Sequence, residues 1–431
     1  MGTDSDADLT RRGFVRVGAG LGAVGLLAGC VGDGESTATD AADPSTLTET
    51  SDRPKTATPT PSPADPEYTA STAPPESTET DTQTPSGPYS VEMAPMGEVT
   101  FEQTPESIFT VLSSHADMAL ALGRGDDVNA VYAVDYTNSL MNAFTPRLDG
   151  VTVDWSDLLS SWNPAKEDVY ELDSDVHLAD PAKVLTMGNW DLADVEEVAE
   201  HVGPWFGNSF SAEHGDPPAA YADDYEYYTL WETFGGVARA LREEARYEAL
   251  SSVHADLVST IESGLPPEDE RPSIAMVLPS TDGDGMWTYD VNAVGYHASH
   301  TRALGATDAF GADVSNGAKI DYEALAEADP DVLLVLGGVV DWHDMPAIRD
   351  SLEDDPVASK VTAVDEGRIY AQGTRHQGPL LNLFQLEMGA KQCYPDAFGE
   401  WPTYTDGAYP ELSSDEQLFD HQQVADIITG Q

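Results

Sequence analysis

The hydrophobic pattern of the chain alternates between two periods from about residue 89 onward. Short apolar runs rich in Val, Ile and Leu predict buried strands, at residues 108–112, 128–134, 274–278 and 332–336. Stretches with helical spacing separate these runs, for example at residues 118–122, 192–202 and 322–328. The alternation predicts an α/β fold with mostly parallel sheets covered by helices.

One long helical pattern lies between the two halves of the chain. It runs over residues 237–263 without an internal Gly or Pro, and we expect Gly235-Gly236 to precede it or to break it from a shorter helix. Its apolar positions recur at three- and four-residue steps: Leu241, Ala245, Ala249, Val253, Leu257 and Ile261. We therefore predict two lobes. The lobes are residues 89–242 and 264–400, joined by one helix at 243–263 and followed by a tail at 401–431.

The N-terminal residues carry a different pattern. Arg11-Arg12 stands before a short uncharged run that ends in Leu27-Ala28-Gly29-Cys30. The arginine pair resembles a twin-arginine export signal, and the last four residues resemble the lipobox whose cysteine is lipidated. The run is much shorter than the ~20 residues needed to span a bilayer. We predict a signal at residues 1–29 and a lipid anchor at Cys30, on the outer face of the cytoplasmic membrane.

A polar stretch follows the predicted anchor. Residues 30–88 consist mainly of Thr, Ser, Pro, Asp and Glu, with almost no large apolar side chain. Such a composition cannot bury a core, so we predict a disordered stalk between the lipid and the folded part.

The charge of the chain indicates the kind of environment in which the protein works and which partners it can bind. It has 77 Asp and Glu residues against 20 Lys and Arg, a formal net charge of −57. A surface of this kind is typical of proteins from halophiles, since molar salt shortens the Debye length to ~3 Å. It looks like a haloarchaeal protein. No basic patch is present to neutralise phosphates, which argues against a nucleic-acid partner. If Cys30 carries lipid, Cys393 has no partner for a disulfide.

Three segments together resemble a known family. The first contains Ser113-Ser114-His115 after a predicted strand, within residues 108–132. The second, residues 320–335, places Asp329-Pro330-Asp331 between a helix and a buried strand. The third, residues 361–395, contains Glu366-Gly367-Arg368 and later Gly378-Pro379-Leu380. Their order and spacing resemble the solute-binding proteins of ATP-driven importers, in the helical-backbone class that captures ferric siderophores, cobalamin or haem.

The resemblance implies a cleft between the lobes and a function in capture rather than catalysis. Ligands of open α/β sheets bind where the carboxyl ends of parallel strands meet. The candidates that follow the predicted strands are mostly aromatic: Ser114, His115, Tyr136, Trp190, Trp287, Tyr289, Trp342 and Arg375. The planar fork of Arg375 suits a carboxylate, hydroxamate or catecholate oxygen. A ferric siderophore is the expected ligand, with cobalamin or haem as alternatives and no intrinsic cofactor.

Other interpretations of these residues remain open. Each aromatic candidate could fill a core or a hinge, and Arg375 could pair with a surface acid. The histidines could hold a bare metal ion, as in the related zinc and manganese receptors, yet none has a recognisable ligand spacing. They are His115, His297, His300, His343 and His376. We expect no metal site in the protein itself.

Catalysis is a poorer explanation of the sequence. The chain has no G-x-S-x-G elbow, phosphate-binding loop or H-E-x-x-H motif, and carboxylate pairs arise by chance at this acid content. An adhesive or structural surface lipoprotein would explain the stalk and the anchor, but not the aromatic residues after the strands.

The resemblance also implies partners. Receptors of this class use one exposed acid on each lobe to engage arginines of the membrane permease. The matching positions are Glu323, before Asp329-Pro330-Asp331, and Asp194, after Trp190. We expect a monomer that delivers its ligand to an ABC permease and its ATPase.

Overall fold

The N-terminal half of the folded chain builds a small parallel sheet. A computed structural model of the protein describes residues 87–280, 285–312, 314–340, 343–402 and 409–431. A hairpin of β1 and β2 comes first, and the sheet has the strand order β5-β4-β3-β6, parallel throughout. The strands of this half are β1 (Tyr89–Met93), β2 (Gly97–Phe101), β3 (Ile108–Thr110), β4 (Val128–Val131), β5 (Leu159–Ser160) and β6 (Val176–Leu178). The helices are α1 (Ser113–Ala121), α2 (Val134–Phe144), α3 (Lys166–Leu172), α4 (Pro181–Val184), α5 (Leu192–His201), α6 (Phe210–Glu213) and α7 (Leu230–Leu241).

A long helix, α8 (Glu244–Gly264), leads to a second, six-stranded sheet. Its strands are β7 (Ser273–Pro279), β8 (Met286–Tyr289), β9 (Thr307–Asp308), β10 (Lys319–Ile320), β11 (Val332–Val335) and β12 (Ile369–Ala371), in the order β10-β8-β7-β11-β12 with β9 beside β7. Its helices are α9 (Ser299–Arg302), α10 (Tyr322–Ala328), α11 (Met345–Asp354), α12 (Thr362–Asp365), α13 (Pro379–Cys393) and α14 (Pro395–Phe398), and the chain ends with α15 (His421–Thr429). The predicted α/β class with helix-covered sheets is confirmed. We call the parts around the two sheets the first and second lobes.

The second sheet is less parallel than the first. β7, β9, β11 and β12 run parallel, whereas β8 pairs antiparallel with both β7 and β10. Pro279 at the end of β7 pairs with Met286 at the start of β8, so only a short connection joins them. A connection of that length permits a hairpin but not the crossover that parallel strands need.

The helix break before α8 does not lie at Gly235-Gly236, where the sequence predicts it. Gly235 and Gly236 lie inside α7, and the chain turns at Arg242, whose φ is +55°. A Cβ on Gly235 would stand 2.9 Å from Cζ of Tyr247, and one on Gly236 would stand 2.0 Å from Cε of Met93. The glycines therefore serve close packing of α7 against its neighbours. The expectation of an unbroken helix from residue 237 was wrong because tertiary contacts, not local propensity, set the glycine positions.

The apolar core extends through both lobes. One cluster contains Ile108 and Met118 of the first lobe together with Leu333 and Phe384 of the second. A smaller cluster around Phe109, Trp190 and Trp205 covers the other face of the first sheet. Helix α13 is buried at every position and contacts α1, α2, α7, α8 and α9. The two lobes thus share one central helix.

Residues 409–431 pack onto both lobes. We call residues 409–431 the C-terminal segment. Tyr409 is fully buried, its amide donates to the Ala143 carbonyl at 2.8 Å, and its carbonyl accepts from Arg147 Nε at 2.7 Å. Its hydroxyl bonds to Glu387 of α13, which also accepts from the Leu418 amide. Helix α15 packs on α8, where Arg246 Nε donates to the Ile427 carbonyl at 3.0 Å. The predicted tail is part of the folded body.

Candidate functional site

The first lobe presents an aromatic edge where β4 and β5 end. Tyr132 follows β4 and Trp162 follows β5, with their ring centroids 4.9 Å apart. The Trp162 side chain is 48% exposed, which is unusual for an indole. Since parallel strands end at this edge, both rings stand where an α/β sheet binds ligands.

Sequence reasoning missed Trp162 for an identifiable reason. The strand before it, β5, has only two residues, Leu159 and Ser160, and gives no apolar run to recognise. A Trp without a visible strand before it could not be placed at the edge.

Arg375 approaches this edge from the second lobe. It lies in the loop between β12 and α13, and its side chain is 16% exposed. The guanidinium carbon stands 4.3 Å from the Tyr289 ring centroid, a cation–π contact, and one of its nitrogens stands 3.4 Å from Oε1 of Glu213. Glu213 precedes α8 and Arg375 follows it, so this ion pair joins the two halves of the chain. The sequence did not single out Glu213, one acid among 77.

Two further tyrosines of the first lobe lie near the loop that carries Arg375. Burial raises the pKa of Tyr132, and the charge of Arg375 acts in the opposite direction, which places the two groups within electrostatic reach. Burial also raises the pKa of Tyr136, opposed by a hydrogen bond with Thr374, the residue before Arg375. Predicted residues Tyr136, Tyr289 and Arg375 are therefore brought together, with Tyr132 beside them.

Two buried histidines, His297 and His376, pair with each other next to Arg375 and Glu213. His297 Nε2 and His376 Nδ1 are 3.1 Å apart, and His297 Nδ1 stands 3.9 Å from Oε1 of Glu213. Burial, followed by the charges of Arg375 and Lys183, lowers the pKa of His376 to about 3. Burial and the neighbouring His376 also hold the pKa of His297 well below its usual value. Both imidazoles are therefore neutral near pH 7 and can act as hydrogen-bond partners without adding charge.

The predicted residues Ser114 and His115 lie at a joint between the lobes rather than on an open surface. Both are buried in the first turn of α1, and neither ring nitrogen of His115 has a hydrogen-bond partner among the described residues. Burial lowers the pKa of His115 to about 4. The neighbouring Ser113 donates from Oγ to the His376 carbonyl at 2.9 Å.

Asp117 completes this joint. Its two carboxylate oxygens accept from the amides of Leu380 at 3.1 Å and Leu381 at 3.0 Å, in the first turn of α13. Burial raises the pKa of Asp117 to about 7, while the backbone hydrogen bonds act to lower it. A Cβ on Gly378 would meet the Asp117 side chain at 2.5 Å, so only glycine permits this approach. The start of α1 thus fixes the position of the loop that carries Arg375.

The predicted tryptophans occupy three different places. Trp190 is 7% exposed, packs in the smaller core against Trp205, and donates from Nε1 to the Pro164 carbonyl at 2.9 Å. It anchors the loop that carries Trp162 instead of joining the aromatic edge. Trp287 is half-buried on β8, on the same sheet face as Tyr289 by strand alternation. Trp342 lies outside the described residues.

The predicted docking acids differ in their surroundings. Glu323 is exposed in the first turn of α10. Asp194 lies in the first turn of α5, where it accepts from Lys166 Nζ at 2.6 Å and from the Asp191 amide at 3.2 Å. Cys30, the predicted anchor, lies outside the described residues. Among the described residues, no helix is long and apolar enough to cross a membrane, and no group of three or more metal-ligating side chains is assembled.

Comparison with known proteins identifies a family whose sequence model matches part of this chain. Residues 211–375 match the sequence model of a family described as periplasmic binding protein, a span that contains Glu213 and His297 and ends at Arg375. The predicted resemblance to the periplasmic solute-binding proteins is confirmed. No curated protein matches the chain significantly.

Solved structures with the same fold cover most of the chain. A periplasmic binding protein from Veillonella parvula has a TM-score of 0.54 at 14% identity, over 75% of this chain and 96% of that one. The siderophore-binding protein BauB, bound to two acinetobactin molecules and ferric iron, has a TM-score of 0.50 at 17% identity, over 71% and 98%. Helicobacter pylori Ceue with Ni(II) bound has a TM-score of 0.50 at 16% identity, over 72% and 90%.

Proposed function

We propose that the protein is an extracellular receptor that captures a ferric siderophore and delivers it to an ABC importer. The observation that carries this proposal is the position of Arg375. Its guanidinium contacts the Tyr289 ring and the Glu213 carboxylate, and its charge reaches Tyr132 at the aromatic edge. Tyr136 bonds to the neighbouring Thr374. A metal chelate offers both an apolar framework and anionic oxygens, and these groups match the rings and the guanidinium.

The comparisons add support of a general kind. The family of the matched span consists of binding proteins, and BauB, of the same fold, is described as bound to a ferric siderophore complex. The described residues also lack an assembled cluster that could hold a bare metal ion, which favours a chelate over a free ion as ligand.

A titration of the purified protein with ferric chelates tests the proposal. Quenching of tryptophan fluorescence, to which the exposed Trp162 should contribute, reports binding. Because a charge-assisted contact contributes about 1.5–3 kcal/mol, Arg375→Ala should weaken binding by more than about tenfold. Arg239→Ala removes an exposed arginine on α7 and should bind as the wild type does.

Each outcome of the titration has a distinct meaning. Binding that Arg375→Ala leaves unchanged would remove Arg375 from the site. Tight binding of cobalamin or haem, with none of any ferric siderophore, would replace the proposed ligand by another of the same class. No binding of any of these ligands would leave a structural or adhesive surface protein as the better explanation.

We also propose the setting of this receptor. Lipid on Cys30 would hold the folded part on the outer face of the cytoplasmic membrane, with residues 31–88 as the stalk. The net charge of −57 fits a surface that works in molar salt, where exposed carboxylates are screened. Capture there would be followed by delivery of the chelate to a permease and its ATPase.

A further inference from the structure

Glu213 is held at the site by the packing of the helix that carries it. It is the last residue of α6, and the α6 backbone lies against Gly295, where a Cβ would stand 2.1 Å from the Ala212 carbonyl oxygen. Asn208, just before α6, donates to the carbonyls of Ala94 at 3.0 Å and Glu226 at 2.9 Å. The base of the Glu213 side chain is therefore fixed, while the side chain itself is 52% exposed.

The contact between Glu213 and Arg375 is long enough for a ligand oxygen to replace the Glu213 carboxylate. Charge-assisted N–H···O bonds are usually ~2.7–2.9 Å long. Here the carboxylate oxygen is 3.4 Å from the guanidinium nitrogen, and the same oxygen is 3.9 Å from His297 Nδ1. One face of the guanidinium is already covered by the Tyr289 ring. An incoming anionic oxygen that approaches the same guanidinium nitrogen must therefore share or take the position at which Glu213 stands.

Few positive charges stand around this edge. Glu213 offsets Arg375, the buried pair His297 and His376 adds no positive charge near pH 7, and Lys183 is a further cation whose charge reaches this pair. A chelate with several negative charges would bring uncompensated charge into a partly desolvated site, which is costly. A chelate with little net charge avoids this cost and can still offer an anionic oxygen to Arg375.

We propose that Glu213 is a specificity-determining residue that competes with the ligand for Arg375, so that the site selects ferric chelates of low net negative charge. This inference rests on the proposed function. It assigns the chemical class of the chelate, a neutral hydroxamate-type complex in preference to a multiply anionic catecholate-type one.

Two probes with different charge test the inference. Fluorescence titrations in molar KCl compare a neutral ferric tris-hydroxamate with a trianionic ferric tris-catecholate. The wild type should bind the hydroxamate more tightly. Glu213→Gln should improve catecholate binding by about tenfold and hydroxamate binding by less than about threefold, since it frees one charge-assisted contact. Glu200→Gln removes an exposed acid on α5 and should leave both affinities unchanged.

A double-mutant cycle separates competition from simple repulsion. If Glu213 acts by occupying Arg375, the catecholate gain from Glu213→Gln should fall below about threefold in the Arg375→Ala background. A gain of equal size in both backgrounds would overturn the competition mechanism. An unchanged preference in Glu213→Gln would overturn the inference while the receptor function stands. Failure of the wild type to bind either chelate would overturn the inference together with the proposed ferric ligand.

Discussion

At the scale of single residues, His115 couples the fold to pH. The folded chain holds this buried imidazole neutral, with its pKa lowered to about 4 from a usual value near 6.5. As pH falls below about 6.5, His115 becomes protonated in the unfolded chain. In the folded chain the same imidazole stays neutral down to about pH 4. The free energy of unfolding should therefore decrease across this range.

Replacing His115 tests this linkage. At about 1.4 kcal/mol for each pKa unit, His115 accounts for a decrease of about 3 kcal/mol between pH 7 and pH 4. His115→Leu should make the decrease smaller by that amount in urea unfolding at constant salt. His201→Leu changes an exposed histidine at the end of α5 and serves as the control. If the full decrease persists in His115→Leu, another group is responsible.

Site residues were predictable only where a recognisable strand preceded them. Arg375 lies in the loop after β12, as the sequence indicates, whereas Tyr289 reaches it from β8, an antiparallel strand that the apolar runs do not reveal. Trp190 lies in a core, where its indole donates to the Pro164 carbonyl. Trp162 and Glu213 could not be found from the chain alone. Trp162 follows a two-residue strand that gives no apolar run. Glu213 has no distinguishing sequence pattern, and only the fold places it beside Arg375.

At the scale of elements, the C-terminal segment depends on one buried carboxylate. Glu387 of α13 is fully buried and bonds to the Tyr409 hydroxyl, the Leu418 amide and, at 2.9 Å, His421 Nε2. The same segment reaches the first lobe through Ala143 and Arg147. Removing the carboxylate leaves these three donors without their acceptor at once.

We expect Glu387→Ala to lower the free energy of unfolding by about 3 kcal/mol or more, the usual cost of breaking a buried charged network. Limited proteolysis should also cut within residues 409–431 faster than in the wild type. Glu411→Ala, an exposed acid of the same segment, is the matched control. Equal unfolding midpoints for Glu387→Ala and the wild type would show that the network contributes nothing.

Elements with strong periodic patterns were predictable, and their junctions were not. Helix α10 occupies Tyr322–Ala328, the range its spacing indicates. The turn before α8 was misplaced because Gly235 and Gly236 make room for Tyr247 and Met93, contacts between residues remote in sequence. The antiparallel β8 escaped detection for a similar reason, since strand direction depends on a connection length that the apolar runs do not define.

At the scale of the whole molecule, the proposed docking on a permease would bury a carboxylate, so it calls for an exposed acid that has no other strong partner. Glu323 is exposed, whereas Asp194 is engaged with Lys166 and with the α5 N-terminus. We therefore expect Glu323→Gln to reduce uptake of labelled chelate into cells while binding by the purified receptor stays intact. Asp194→Asn should have the smaller effect on uptake, because it mainly disturbs the cap of α5.

Glu327→Gln provides the control, since it removes another exposed acid from the same helix. Wild-type uptake in cells carrying both Glu323→Gln and Asp194→Asn would show that neither acid engages the permease. A loss of binding by the purified variants would instead point to damage within the receptor itself.

The complete burial of α13 also governs the order in which the protein can fold during synthesis. The ribosome makes the first lobe early, yet Asp117 receives its amide partners only from residues 380 and 381. Until α13 has emerged, α1 lacks the helix that covers it, and a buried carboxylate lacks its donors. We therefore expect the first lobe to complete its packing only once α13 is present, and not ahead of the second lobe. Both lobes should then reach the native state in one cooperative step.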